Sequence, residues 1–336
     1  MNAHEKGRQL ASSIPMIEMH ALRKSFVSTD KRTRICALDG LDIVVQHGQT
    51  FGLLGADGAG KTTTLRLLNG LWLPDSGEAR VAGYDTVTDF RRIHEIAGYM
   101  PQQFALYGDL SALENLVFFA EAYGLTRGEK QARIPGLLRF ARLEQFKDRR
   151  ADKLSGGMKK KLALACMLIH EPDVVFLDEP TLGVDPVSRR EFWNLLSDLR
   201  AERGMTIFVC TPYMDEAERC HRVGLLYEGR LIAQGTPAEI KAMVPGELLE
   251  LQPLDFYRAR DGLMQAEGVL EVQTYGELLH VFVDNAQHRA LGIRATLEAQ
   301  GIAVGDVRAI EPSMEEAFIS LMRQHRRSGN GREASE

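Results

Sequence analysis

Apolar positions along the chain fall into two rhythms. Short runs that are apolar almost throughout, Phe51–Leu54, Val174–Leu177 and Thr206–Cys210, have the length of buried strands. Other stretches place apolar residues three or four apart, so that Leu65, Leu68 and Leu71 share one helix face, as do Met158, Leu162, Cys166 and Ile169. From about Met16 to Pro245 the two kinds alternate, which predicts a mixed or parallel sheet with helices packed on it. After Gly246 the order changes: a strand over 247–252, a helix over 255–266, a hairpin over 269–284 turning near Gly276, a helix over 288–300 and a strand over 304–310. A last helix is opened by Ser313, which forms a capping box with Glu316 ahead of Ala317, Phe318 and Leu321. The order β-α-β-β-α-β with one extra helix is the split βαβ arrangement. The expected organisation is a disordered lead-in over 1–15, a large α/β domain over 16–245, a small α+β ferredoxin-like domain over 246–324, and a polar, disordered tail over 325–336.

Composition narrows the function. A length of 336 residues suits about two domains, each able to bury its own core. With a formal net charge of -5 there is no electrostatic case for binding nucleic acid. Cys36, Cys166, Cys210 and Cys220 lie far apart without a C-x-x-C spacing, so neither a disulfide framework nor a zinc site is indicated. The first residues mix charges and lack an apolar core of signal-peptide length. No apolar stretch approaches the roughly 20 residues that cross a bilayer, so the chain is not expected to span a membrane by itself.

The chemistry begins at Gly55-Ala56-Asp57-Gly58-Ala59-Gly60-Lys61-Thr62-Thr63, a P-loop between a predicted strand and a predicted helix. Gly55, Gly58 and Gly60 let backbone N–H groups approach phosphates, and the helix N-terminus adds the positive end of its dipole. Lys61 would reach the β- and γ-phosphates and Thr62 would ligate magnesium. The run Val174–Leu177 ends in Asp178 and Glu179. Alone it is a buried strand meeting solvent; in a P-loop protein Asp178 holds Mg2+ and Glu179 polarises the attacking water.

Between these motifs, Leu154-Ser155-Gly156-Gly157-Met158 closely resembles the signature of ABC ATPases, with Ser155 standing 23 positions ahead of Asp178. Periodicity alone gives only a half-buried helix capped by Ser155, and Lys159–Lys161 could be its solvated first turn. The resemblance spans about Met16 to Pro245 and implies the ABC ATPase fold, a P-loop NTPase sheet with a helical subdomain. It implies further that Phe26 stacks on adenine, that Gln102 is the Q-loop glutamine sensing the γ-phosphate and the metal beside a membrane partner, and that Asp185 lies in the D-loop. Two such domains sandwich two ATP molecules, so Ser155 and Gly157 of one would complete the site built on Lys61 of the other. GYMPQQFALYGDLSALENL and EPSMEEAFISLM are similar to the ABC-2 exporter branch, whose ATPase and membrane permease are often separate chains. The implied place is peripheral, at the cytoplasmic face of the inner (plasma) membrane.

One departure stands out. Pro212 occupies the place of the family's switch histidine, and proline has no side chain that can hydrogen-bond a γ-phosphate. His221, nine residues on, reads as a surface residue of the following helix. Asp57 stands where the family commonly has asparagine. These departures resemble the first half of tandem-ATPase multidrug exporter subunits and leave homodimer and heterodimer open. Three classes follow: an ATPase driving export through a permease, a hydrolysis-weak regulatory half, and an ABC protein of translation or DNA repair. The absence of an internal repeat and of a sustained heptad pattern argues against the last.

Overall fold

The computed structural model describes residues 14–27, 33–103 and 106–333, of which 328–333 are described by backbone alone. The chain divides into two compact units, Met1–Gln234 and Gly235–Glu336. The division falls ahead of the expected boundary at 245 because a short helix over Pro237–Ala242 packs against the last helix of the chain. The expected lead-in lies, except for its last two residues, outside the described residues.

The first unit starts with β1 (Ile17–Val27), β2 (Arg34–Val45), β3 (Thr50–Leu54), α1 (Lys61–Leu68), β4 (Ser76–Val81), β5 (Tyr84–Asp85), α2 (Phe90–Ile96) and β6 (Ala97–Met100). It continues with α3 (Ala112–Ala122), α4 (Arg127–Phe140), α5 (Gly156–Met167), β7 (Val174–Asp178), α6 (Pro186–Arg203), β8 (Thr206–Thr211), β9 (Arg222–Tyr227) and β10 (Arg230–Gly235). An antiparallel sheet in the order β2-β1-β4-β5 adjoins a six-stranded sheet in the order β10-β9-β3-β8-β7-β6. In the latter, β9-β3-β8-β7-β6 are parallel neighbours and their residues are buried nearly throughout, as covering on both faces requires.

Register positions the chemistry. Leu53 of β3 and Asp178 of β7 both pair with Cys210 of β8, so the loop after β3 and the residues after β7 leave the sheet at the same carboxyl edge. Helix α1 stops at Leu68, and Gly70 adopts φ +62° where an added Cβ would stand 2.5 Å from that of Phe90. Leu71, placed on the helix face by periodicity, therefore lies past its end and is exposed.

Capping boxes at Ser111/Glu114 and Thr126/Glu129 start α3 and α4. Both pack on α5, which also meets α6 and β6. Contacts on so many sides bury α5 almost all round, which corrects the half-buried expectation. Lys161, in the turn read as solvated, is itself buried and donates from Nζ to Glu191 Oε2 at 2.9 Å.

The second unit adds α7 (Pro237–Ala242), β11 (Glu247–Pro253), α8 (Phe256–Leu263), β12 (Val269–Tyr275), β13 (Leu278–Val283), α9 (Ala286–Ala299), β14 (Val304–Ile310) and α10 (Met314–Glu333). Its sheet runs β12-β13-β11-β14 with every pairing antiparallel, the ferredoxin-like order that the split βαβ pattern predicts. Leu249, Leu251, Leu279, Val281 and Val283 pack with Leu263 of α8 and with Ile293 and Leu297 of α9 in a core of its own. Helix α10 runs on to Glu333 through most of the tail expected to be disordered, since extending a helix already nucleated at its capping box costs less than starting one. Among the described residues no helix is long and apolar enough to cross a membrane. The Cys36 thiol is exposed, whereas Cys166, Cys210 and Cys220 are buried and burial pushes their thiols up.

Candidate functional site

The loop from Gly55 to Gly60 owes its path to its glycines. A Cβ on Gly55 would stand 2.4 Å from the Leu226 carbonyl oxygen, and one on Gly60, at φ +113°, would stand 2.5 Å from that of Ala37. Gly58 has φ +81° with nothing within 4 Å of its Cβ position, so the tip of the loop borders open space. The Gly229 N–H donates to the Ala59 carbonyl at 3.0 Å and ties the loop's base to the turn after β9. Asp57 is exposed at the tip.

Lys61, the first residue of α1, is buried. Its Nζ donates to the carbonyls of Gly55 (2.9 Å) and Ala56 (3.1 Å) and lies 3.1 Å from Glu179 Oε1 and 3.7 Å from Asp57 Oδ1. Gln102 Nε2 donates to the other Glu179 oxygen at 2.8 Å. The Thr62 hydroxyl donates to Asp178 Oδ1 at 3.1 Å. Five residues read separately from sequence, Lys61, Thr62, Gln102, Asp178 and Glu179, thus form one cluster. Glu179 adopts φ +47°, rare for a residue with a side chain, and its N–H donates to the Cys210 carbonyl at 2.8 Å.

Burial pushes the Asp178 carboxyl above the usual carboxylate range and the negative Glu179 adds to this, against the Thr62 hydrogen bond. A buried carboxylate beside a hydroxyl is the hard oxygen donor set that a magnesium ion prefers, so Thr62 and Asp178 fit such an ion. Gln102 offers its amide oxygen at the margin of the same cluster.

Other expected site residues stand apart from these groups. Phe26 is half-buried, edge-on to Trp72 with ring centroids 4.9 Å apart and with Lys24 Nζ 5.5 Å from its ring. Ser155 is exposed and caps α5 by accepting from the Met158 N–H. Gly157 is buried so closely against Ser188 that a Cβ would stand 2.4 Å from its Oγ. Asp185 caps α6, accepting from the Ser188 N–H at 2.9 Å. Thr63 lies half-buried in the first turn of α1.

Pro212 follows β8 and offers no polar side-chain atom. His221 is exposed as expected but is not in a helix: the short 3-10 turn Met214–Arg219 ends before it, and its Nδ1 accepts from the Thr50 N–H at 3.1 Å. Sequence reasoning missed Lys160, whose Nζ donates to the Gln102 carbonyl at 3.1 Å and whose pKa burial lowers. Nothing in a run of three lysines separates it from its neighbours. Beside it opens a cleft of about 410 Å³ lined by Gln102, Gln103, Leu106, Asp152, Lys159 and Lys160, among others.

Comparison with known proteins agrees with this geometry. Residues 38–182 match the family model described as ABC transporter. The chain is 38% identical over 320 residues to the Escherichia coli (strain K12) protein named Probable multidrug ABC transporter ATP-binding protein YbhF, covering 91% of this chain but only 52%, about half, of that one. It is 43% identical over 264 residues to the Nod factor export ATP-binding protein I of Burkholderia pseudomallei (strain 1710b), covering 77% of this chain and 86% of the relative. Among solved structures, the ATP-binding cassette MJ0796, a dimer in a post-hydrolysis state bound to ADP and Pi, superposes with a TM-score of 0.59 at 26% identity, covering 66% of this chain and 98% of that one.

Proposed function

The chain belongs to the family of ABC transporter ATP-binding proteins, and from that premise we propose that it hydrolyses ATP to drive export of a substrate through a separate membrane-spanning permease of the ABC-2 type. The observation that carries the reading is the Glu179 carboxylate held between Lys61 Nζ and Gln102 Nε2, beside the Thr62–Asp178 pair. In this reading the N–H groups of the Gly55–Gly60 loop and Lys61 bind the phosphates, and Phe26 stacks on the adenine. Mg2+, held by Thr62, Asp178 and Gln102, would neutralise charge on the phosphate oxygens when bound. Glu179 accepts the proton of the attacking water, and its two hydrogen-bonding neighbours fix the direction its carboxylate faces. Gln102 joins this base to the cleft with Lys159 and Lys160, where the permease is proposed to dock at the cytoplasmic face of the membrane.

Ser155, which caps α5, and Gly157, packed on Ser188, are proposed to complete the site of a second ATPase domain, so that a dimer is the active form. A second reading rests on Pro212. Without a donor at this position the chain's own site turns over weakly, and the chain pairs with a different ATPase that supplies the histidine.

Steady-state ATP hydrolysis of the purified chain with Mg2+, beside Lys61→Ala and Glu179→Gln, tests both. Turnover in the wild type with a loss on the order of a hundredfold or more in each variant supports the ATPase reading. ATP binding without turnover favours the regulatory half.

A further inference from the structure

Glu179 is held in a backbone region that side chains rarely adopt, so something must keep it there. One anchor is its own N–H on Cys210. A second lies two residues on, where the Thr181 hydroxyl donates to Glu216 Oε1 inside the protein. Glu216 is 1% exposed and sits on the 3-10 turn Met214–Arg219, directly after Pro212. Its countercharge comes from α6: the Arg189 guanidinium lies 4.0 Å from the Tyr213 ring centroid, with Nη1 3.6 Å from Asp215 Oδ2 and Nε 4.0 Å from Glu216 Oε1.

Resting on the ATPase reading above, we propose that Glu216 is a positioning residue for Glu179, acting through Thr181. The carboxylate clamps the turn that aims the base, and Arg189 holds the carboxylate in place from α6. Among the described residues Glu216 Oε2 and Arg189 Nε have no hydrogen-bond partner although both are buried. Burying unpaired polar atoms weakens a fold, so a purely structural clamp would be better built from groups that satisfy each other. Pro212 sharpens the argument. With no side-chain donor at this place, it is the Thr181–Glu216 hydrogen bond that ties the segment after β8 to the turn carrying the base.

The test compares Thr181→Val, which keeps shape and loses the hydroxyl, with Thr181→Ser, which keeps the hydroxyl, and with Glu216→Ala. Each is read for kcat, KM for ATP, nucleotide binding and Tm. The expected result is a kcat lowered on the order of tenfold in Thr181→Val and Glu216→Ala at unchanged KM, with Thr181→Ser close to wild type. A Thr181→Val chain with wild-type kcat, or one whose KM, binding and Tm deteriorate together, overturns the positioning role while leaving the ATPase reading intact. A wild-type chain that binds ATP and turns over none sinks the ATPase reading, and the positioning role falls with it.

Discussion

At the scale of single residues, the loop of Gly55–Gly60 shows how little freedom a phosphate cradle leaves. Gly60 combines φ +113° with a Cβ position 2.5 Å from a carbonyl oxygen, so both strain and collision oppose any side chain there. Gly60→Ala is expected to destabilise the first unit by about 3 kcal/mol and to abolish ATP binding, checked by denaturant unfolding and nucleotide titration. The same substitution at Gly58, with open space around it, meets only the left-handed backbone and should cost about 1 kcal/mol. The sequence, in which both are glycines of one loop, does not show this contrast in cost. Residues set in a contiguous motif at the end of a strand were legible: Gly60-Lys61-Thr62 and Asp178-Glu179 carry their meaning locally. Thr181 and Glu216 were not, because 35 positions separate them and only the parallel register of β7 and β8 brings their loops together.

Elements carry properties that no residue has alone. Helix α10 buries Met314, Ala317, Phe318 and Leu321 and also brings titratable groups onto the sheet. His280 of β13 is buried between Glu316 of α10 (Nδ1 to Oε1, 2.6 Å) and Glu250 of β11 (Nε2 to Oε2, 3.2 Å), under the stacked ring of Tyr275 from β12. Arg308 of β14 pairs with Glu250, and Arg323 of α10 with Glu271 of β12. The Glu316 hydrogen bond, against some desolvation, raises the His280 imidazole above its ordinary value. Burial works to raise the Glu316 carboxyl, yet bonds from His280 and Ser313 override it and bring it to about 2.

The sign follows from linkage. The imidazole's contribution is complete below its ordinary value of 6.5 and is lost as pH rises through the raised one; the carboxyl's is complete above 4.5 and is lost as pH falls toward 2. Thermal unfolding against pH should therefore show the second unit most stable between these limits, and His280→Gln should remove the fall on the alkaline side. The capping box at Ser313 could place the start of α10, but a single His280 among the apolar residues of β13 names no partner in sequence, and Glu250 and Glu316 read there as solvent-facing, which hid this network.

For the whole molecule, two separate cores mean that unfolding need not be one event. Calorimetry should resolve two transitions, of which Mg-ATP at a hundred times its Kd raises only the one belonging to the first unit, by about 2.7 kcal/mol. A single transition shifted as a whole would show the units to be energetically coupled. The cysteines make the two events separable by chemistry. All four, and both tryptophans, belong to the first unit, and only Cys36 is exposed. A maleimide should therefore take one equivalent from the native chain and four once the first unit opens. The natural sequence carries its own single-site handle on β2, and its label count registers the fate of one unit while staying silent about the other.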